Sequence, residues 1–244
     1  TLVERGDGDP RVQVIGSIVD YAHAGPTMAR AVDVISREDV RIVSLTITEA
    51  GYGDGAAGDP SSTPTTFDVI AMGLERRREQ GHPPLTIVSC DNLPSNGDAA
   101  RRSTLVAAHR LDASLAEWTD RHCTFPNSMV DRITPATSDA DRAWLLDALG
   151  VEDRWPVVAE PFRQWVLEDE FANGRPRWED VGVLFTDRVH DWEIYKLRLL
   201  NAGHSSMAYL AALAGVPYVD EAMALPEVRS FLHRLLHDEA GPSL

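Results

Sequence analysis

The chain has 244 residues, 43% of them apolar, which suffices for one large domain or two smaller ones with a real core. A formal charge of -15 and a pI near 4.8 would repel phosphate backbones and anionic membrane surfaces, which argues against nucleic acid and membranes as partners. No apolar run nears the ~18 residues of a membrane span, and no basic-then-apolar leader opens the sequence. Cys90 and Cys123 lack metal-ligand spacing and fit reduced, buried thiols of a cytoplasmic protein. The first residue is Thr1 rather than methionine, so further sequence upstream is expected.

The first half alternates β-branched runs with helical patterns. "RVQVIGSIVDY" (11–21), "VRIVSLTIT" (40–48) and "LTIVSC" (85–90) read as strands; 27–37, 66–80 and a long stretch at 98–119 read as helices. Near-continuous apolar strands separated by helices predict a parallel sheet covered on both faces. "CTFPNSMVDRITP" (123–135) adds a strand and turn, and 136–186 is less regular, with Trp144, Trp155, Trp165 and Trp178. From about 188 the pattern is helical, broken at Gly215-Val216-Pro217 and near Pro226. The fold class is therefore α/β: an incomplete Rossmann-type parallel sheet over 1–186, then a mainly α-helical domain over 187–244. The loop at 51–64, rich in Gly, Pro, Ser and Thr, is the candidate mobile segment.

Three motifs read as structure rather than chemistry. Gly53, Gly55 and Gly58 form a G-x-G-x-x-G after a strand, but Asp59-Pro60-Ser61-Ser62 follows where a phosphate-binding helix would begin. His233 and His237 share a helical face, yet Arg234 stands where a zinc protease needs glutamate. Ser205 in "GHSS" lacks the strand-to-helix elbow of a hydrolase nucleophile. "SCDNLPSNG" (89–97) is better placed, at the carboxyl end of a strand where α/β sheets collect ligands, although Asp91, Asn92 and Asn96 also suit turn and N-cap roles.

"YKLRLLNAGH" (195–204) carries the strongest compositional signal. The 23 lysines and arginines are all arginine except Lys196. Surface charge is served by either residue; only lysine loses its proton readily on burial. At 100° per residue, with Glu193 at zero, Lys196, Asn201 and His204 fall at about 300°, 80° and 20°, an arc of about 140°. Apolar residues lie all round the same cylinder, which predicts a buried helix. Buried Glu, Lys, Asn and His must be paired or serve a polar cavity, so a structural Glu193–Lys196 pair and a site both remain open.

Together "GSIVDY", "SLTITEAGY", "SCDNLPSNG", "FPNSMVDRITP", "EPFRQWVLED" and "YKLRLLNAGHSSMAYLAALAG" resemble the long-chain mannitol dehydrogenase family of polyol and sugar-acid oxidoreductases, along essentially the whole chain. "EPFRQWVLED…GRPRWEDVG" looks most like its mannitol 2-dehydrogenase branch. The resemblance implies NAD (NADP not excluded) and a polyol or ketose substrate in a metal-independent reaction, D-mannitol to D-fructose first among them. It further implies a monomer. In that family Lys196 would be the general acid/base, Asn201 and Asn92 would hold the reacting oxygen, His204 would position it, and Glu193 would belong to a proton or water path. Thr48, Glu49 and Asn92 would contact the cofactor. Such residue types suit the chemistry: an amine takes the alcohol proton, and two amide donors stabilise the developing alkoxide. The family's G-x-G-x-F-H-R pyrophosphate turn does not occur in this chain. Two alternatives stay open: a fructuronate (mannonate) or other sugar-acid reductase, and a non-catalytic fragment that needs the missing segments or a partner chain.

Overall fold

The computed structural model describes residues 1–6, 8–22, 28–52 and 64–244, so the glycine motif at Gly53, Gly55 and Gly58 lies outside the described residues, as does most of the 51–64 loop. The chain forms two compact units, Thr1–Asp187 and Arg188–Leu244.

In the first unit, β1 (Leu2–Glu4) pairs antiparallel with β2 (Arg11–Gln13) and parallel with β6 (Val157–Ala159). The expected strand over 11–21 is cut to these three residues. Beyond them Val14, Ile18 and Val19 are exposed, so nothing in the described residues pairs with or covers them. After α1 (Ala29–Ser36), β3 (Ile42–Leu45) runs parallel to β4 (Thr86–Ser89), in register from Ile42–Thr86 to Leu45–Ser89. Thr124 continues the parallel series, bridging Thr86 and bonding to Leu85 and Ile87. A third sheet joins β5 (Ser128–Asp131) antiparallel to β7 (Gln164–Leu167), which runs parallel to β8 (Leu184–Phe185). The parallel pairing was legible; the antiparallel partners β2 and β7 were not.

The crossover from β3 to β4 is α2 (Thr66–Gln80). Its start is fixed by a reciprocal cap between Thr65 and Asp68, and its end by Gly81 at φ 70°, a left-handed conformation glycine adopts without steric cost. Phe67, Ile70, Ala71 and Leu74 face Leu45, Leu85 and Ile87 to form the main core. Arg77 is fully buried on the same helix; its guanidinium satisfies its N–H groups by donating to the carbonyls of Pro83, Ile35 and Arg37.

The expected single helix over 98–119 is two, α3 (Asn96–Leu111) and α4 (Ala113–His122). Asp112 breaks it: at φ -160° it ends α3, and its carboxylate accepts the Ser114 N–H to start α4. α5 (Asp139–Leu149) is capped by Ser138 and Asp141.

The second unit is helical: α6 (Val189–Tyr195), a π-turn (Lys196–Asn201), α7 (Ala202–Leu213), α8 (Val219–Ala224), α9 (Pro226–Arg234) and a second π-turn (Leu235–Ala240). Gly215 at φ 71° closes α7, and Pro226 opens α9 where its missing N–H costs nothing. Met207, Ala211, Ala222, Val228 and Leu232 make its core. No helix of the described residues is long and apolar enough to cross a membrane.

Candidate active site

The named residues fall on both units. Thr48, Glu49 and Asn92 stand at the carboxyl ends of β3 and β4, neighbouring parallel strands, and all three are exposed. Just beneath them lies a bonded cluster. Asp91, 7% exposed, accepts the Thr48 N–H at 2.8 Å on one carboxylate oxygen and the Tyr52 hydroxyl at 2.6 Å on the other. Tyr52 also meets Ser89 Oγ at 2.6 Å, and Ser89 Oγ accepts the Asp91 N–H at 3.3 Å. Burial and the adjoining carboxylate both raise the Tyr52 pKa, so the phenol stays a donor across the physiological range.

Asn96 is no cap. Ser95 is the N-cap of α3, and Asn96 is fully buried within the first turn. Its amide NH2 donates to the carbonyls of Asp91 (3.0 Å) and Ser128 (2.9 Å), while its oxygen accepts the Ser128 N–H at 2.9 Å. The β4 turn is thereby stitched to β5. Gly97 follows because the helix start lies against β5's approach: a Cβ there would meet Phe125 O at 2.4 Å. Asn127 Oδ1 completes the join, accepting the Gly97 N–H at 2.9 Å and the Asp98 N–H at 3.2 Å.

In the second unit the expected buried α-helix is neither buried all round nor α throughout. Tyr195, Leu197 and Leu200 are exposed, and Lys196 is half-buried. The π-turn begins at Lys196 and ends at Asn201. Residues five apart on an α-helix sit about 140° around the axis. In a turn closed by i→i+5 bonds, with about 4.4 residues per turn, they sit about 50° apart. Ideal geometry of this kind would bring Glu193, Lys196, Asn201 and His204 within an arc of about 70°, half that of an unbroken α-helix. His204 Nδ1 lies 3.1 Å from the Leu200 carbonyl, which only accepts, so Nδ1 carries a proton and Nε2 is the ring nitrogen left for another partner. Glu193 has His190 Nδ1 at 3.4 Å.

A cleft of about 670 Å³ adjoins His204 and Ser205, but its walls are Met207, Ala211, Val216 and Tyr218, which suit packing better than a polyhydroxylated ligand. His233 and His237 are exposed, their rings 4.4 Å apart. Cys90 is half-buried and Cys123 buried, both free thiols.

A unit built on parallel strands joined through helices, with its polar cluster at their carboxyl ends, followed by a helical unit, is the arrangement of a Rossmann-type dehydrogenase. Residues 1–180 match the mannitol dehydrogenase Rossmann domain and residues 188–244 the mannitol dehydrogenase C-terminal domain. The chain belongs to the mannitol dehydrogenase family. It is 41% identical over its whole length to a mannitol 2-dehydrogenase of Phaeosphaeria nodorum, covering 46% of that relative. Among solved structures it is similar to the Pseudomonas fluorescens mannitol 2-dehydrogenase ternary complex with NAD and D-mannitol (44% identity, TM-score 0.86, all of this chain and 53% of that one). It also matches a D-sorbitol dehydrogenase in substrate-free form (39% identity, TM-score 0.92, all of this chain and 54% of that one). The chain thus spans about half the length of these relatives.

Proposed function

We propose that this chain carries the catalytic residues of an NAD-dependent polyol dehydrogenase that oxidises D-mannitol to D-fructose. The observation that carries the reading is the single lysine, placed with Asn201 at the two ends of a π-turn in a chain of this family.

The strand ends suit the nicotinamide half of the cofactor. β3 and β4 stop together, and Thr48 and Ser95 just beyond them hold positive φ, which turns the backbone sharply off the sheet. Thr48, Glu49 and Asn92 would hold that half, and NAD when bound supplies the hydride acceptor. Lys196 Nζ takes the hydroxyl proton as the C–H bond breaks. The side-chain NH2 groups of Asn92 and Asn201 donate to the oxygen as it gains negative charge. His204 Nε2 accepts from a substrate hydroxyl and fixes the carbon's orientation. Glu193 provides a carboxylate on the same face, where a released proton can pass towards water.

Lys196→Arg separates a base from a structural cation. Arginine pairs with carboxylates but does not give up its proton near neutral pH. NAD-dependent mannitol oxidation should fall nearly as far in Lys196→Arg as in Lys196→Ala. Activity of the arginine variant close to the parent's would reduce Lys196 to a structural charge. Turnover of D-sorbitol or D-fructuronate at a higher kcat/KM than D-mannitol would reassign the substrate.

A further inference from the structure

Among the described residues only two that are not glycine have positive φ: Thr48 at 65° and Ser95 at 48°. One follows β3 and the other β4, at the same end of adjacent parallel strands. Thr48 is the more costly, because a β-branched side chain is strained in the left-handed region and persists there only where its surroundings hold it. What holds it is Asp91. The carboxylate accepts the Thr48 N–H at 2.8 Å and the Tyr52 hydroxyl at 2.6 Å, gripping both ends of the turn that Gly51 N–H to Thr48 O closes at 3.0 Å. Asp91 is itself fixed from the other side, its N–H on Ser89 Oγ and its carbonyl on Asn96. The next residue in the chain is Asn92.

We propose that Asp91 is a positioning residue: it clamps Thr48 in its left-handed conformation and so sets the cofactor-facing turn 48–52 and the Asn92 amide against each other. This deepens the polyol dehydrogenase reading and rests on it for the role of Asn92. The clamp needs an acceptor, not a charge. In Asp91→Asn the amide oxygen still accepts from Thr48, while the new NH2 donates to Tyr52 and the phenol turns its proton to Ser89. Alanine leaves the Thr48 N–H with nothing to hold it.

The test is a cycle of Asp91→Ala and Thr48→Gly, with Asp91→Asn beside it. Glycine adopts positive φ without a clamp, so Asp91→Ala should lower kcat for mannitol oxidation about tenfold with Thr48 in place and by clearly less with glycine there. Asp91→Asn should keep most of the parent's kcat. Urea unfolding gives a readout that needs no turnover: Thr48→Gly should raise the midpoint more in the parent, where strain is released, than in Asp91→Ala, where the turn has already relaxed. Equal losses from Asp91→Ala in both backgrounds, no difference between the midpoint shifts, or an asparagine variant as poor as alanine would each overturn the clamp. Where the parent shows no NAD-dependent mannitol oxidation, the clamp is decided by the midpoints alone.

Discussion

Replacing Asn96 by alanine removes the side chain that ties the β4 turn to β5. Both backbone groups of Ser128 depend on it: the N–H donates to Asn96 Oδ1 and the carbonyl accepts from Nδ2, each at 2.9 Å. The pairing of Ser128 with Leu167 gives no substitute. The ladder's bond is made one residue earlier, from Glu168 N–H to Asn127 O, so Ser128 points its polar groups away from β7. The carbonyls of Asp91 and Ser89 fare better, since Leu93 N–H and Ser128 Oγ also donate to them. Two buried groups are therefore left unsatisfied at about 1–3 kcal/mol each, for a loss of about 2–6 kcal/mol. Urea unfolding followed by tryptophan fluorescence reads the unit concerned, because Trp192 is the sole tryptophan outside Thr1–Asp187. The midpoint should fall with an unchanged denaturant slope. A loss below about 1 kcal/mol would refute the argument, by showing that water or a strand shift satisfies Ser128 as well as the amide does.

Burial pushes both thiols up to about 11, so at pH 8 the native chain should react with iodoacetamide far more slowly than the urea-unfolded chain, half-buried Cys90 before Cys123; alkylation of both at the unfolded rate would contradict the packing. Asp112 is held down at about 2 by the Ser114 hydroxyl, the Arg78 guanidinium and the Ser114 N–H. Its folded value lies below the unfolded one, so its stabilising contribution is present above the ordinary carboxyl range and fades as pH falls from about 4 through 2. Unfolding midpoints of the parent and Asp112→Asn should converge over that interval, and a gap that stays constant down to pH 2 would remove Asp112 from the acid response.

What the sequence disclosed followed from how local each signal is. α2 was legible to the residue because its periodic face is bounded by Thr65, Asp68 and Gly81, all within the helix's own neighbourhood. The α3–α4 break was hidden, since Asp112 ends one helix and starts the next with neither glycine nor proline to mark it. The apolar run 11–21 misled, because β-branched residues report a preference for pleated surfaces and not the presence of a partner strand; Val19 is 93% exposed. At the candidate site, composition singled out Lys196, whereas the contact of Asp91 with Tyr52 joins residues 39 apart and had no sequence signature. Asn96, taken for a turn or cap residue, has a role fixed by Ser128, 32 positions away.

The π-turn at Lys196–Asn201 changes what counts as a small edit to this helix. Four residues separate its ends, and with three the same pair would stand i,i+4 on an ordinary α-helix, about 40° apart instead of about 50°. Losing one of Leu197, Arg198, Leu199 or Leu200 therefore leaves the lysine and the asparagine on nearly one meridian. It shortens the axial step between them by about one residue's rise and removes the slack that a wide turn stores. A substitution scan would rank those four positions as filler, since Leu197 and Arg198 face outwards. Their number, rather than their chemistry, sets how far the amine stands from the amide, so helix length is here a tunable parameter of the proposed reaction centre.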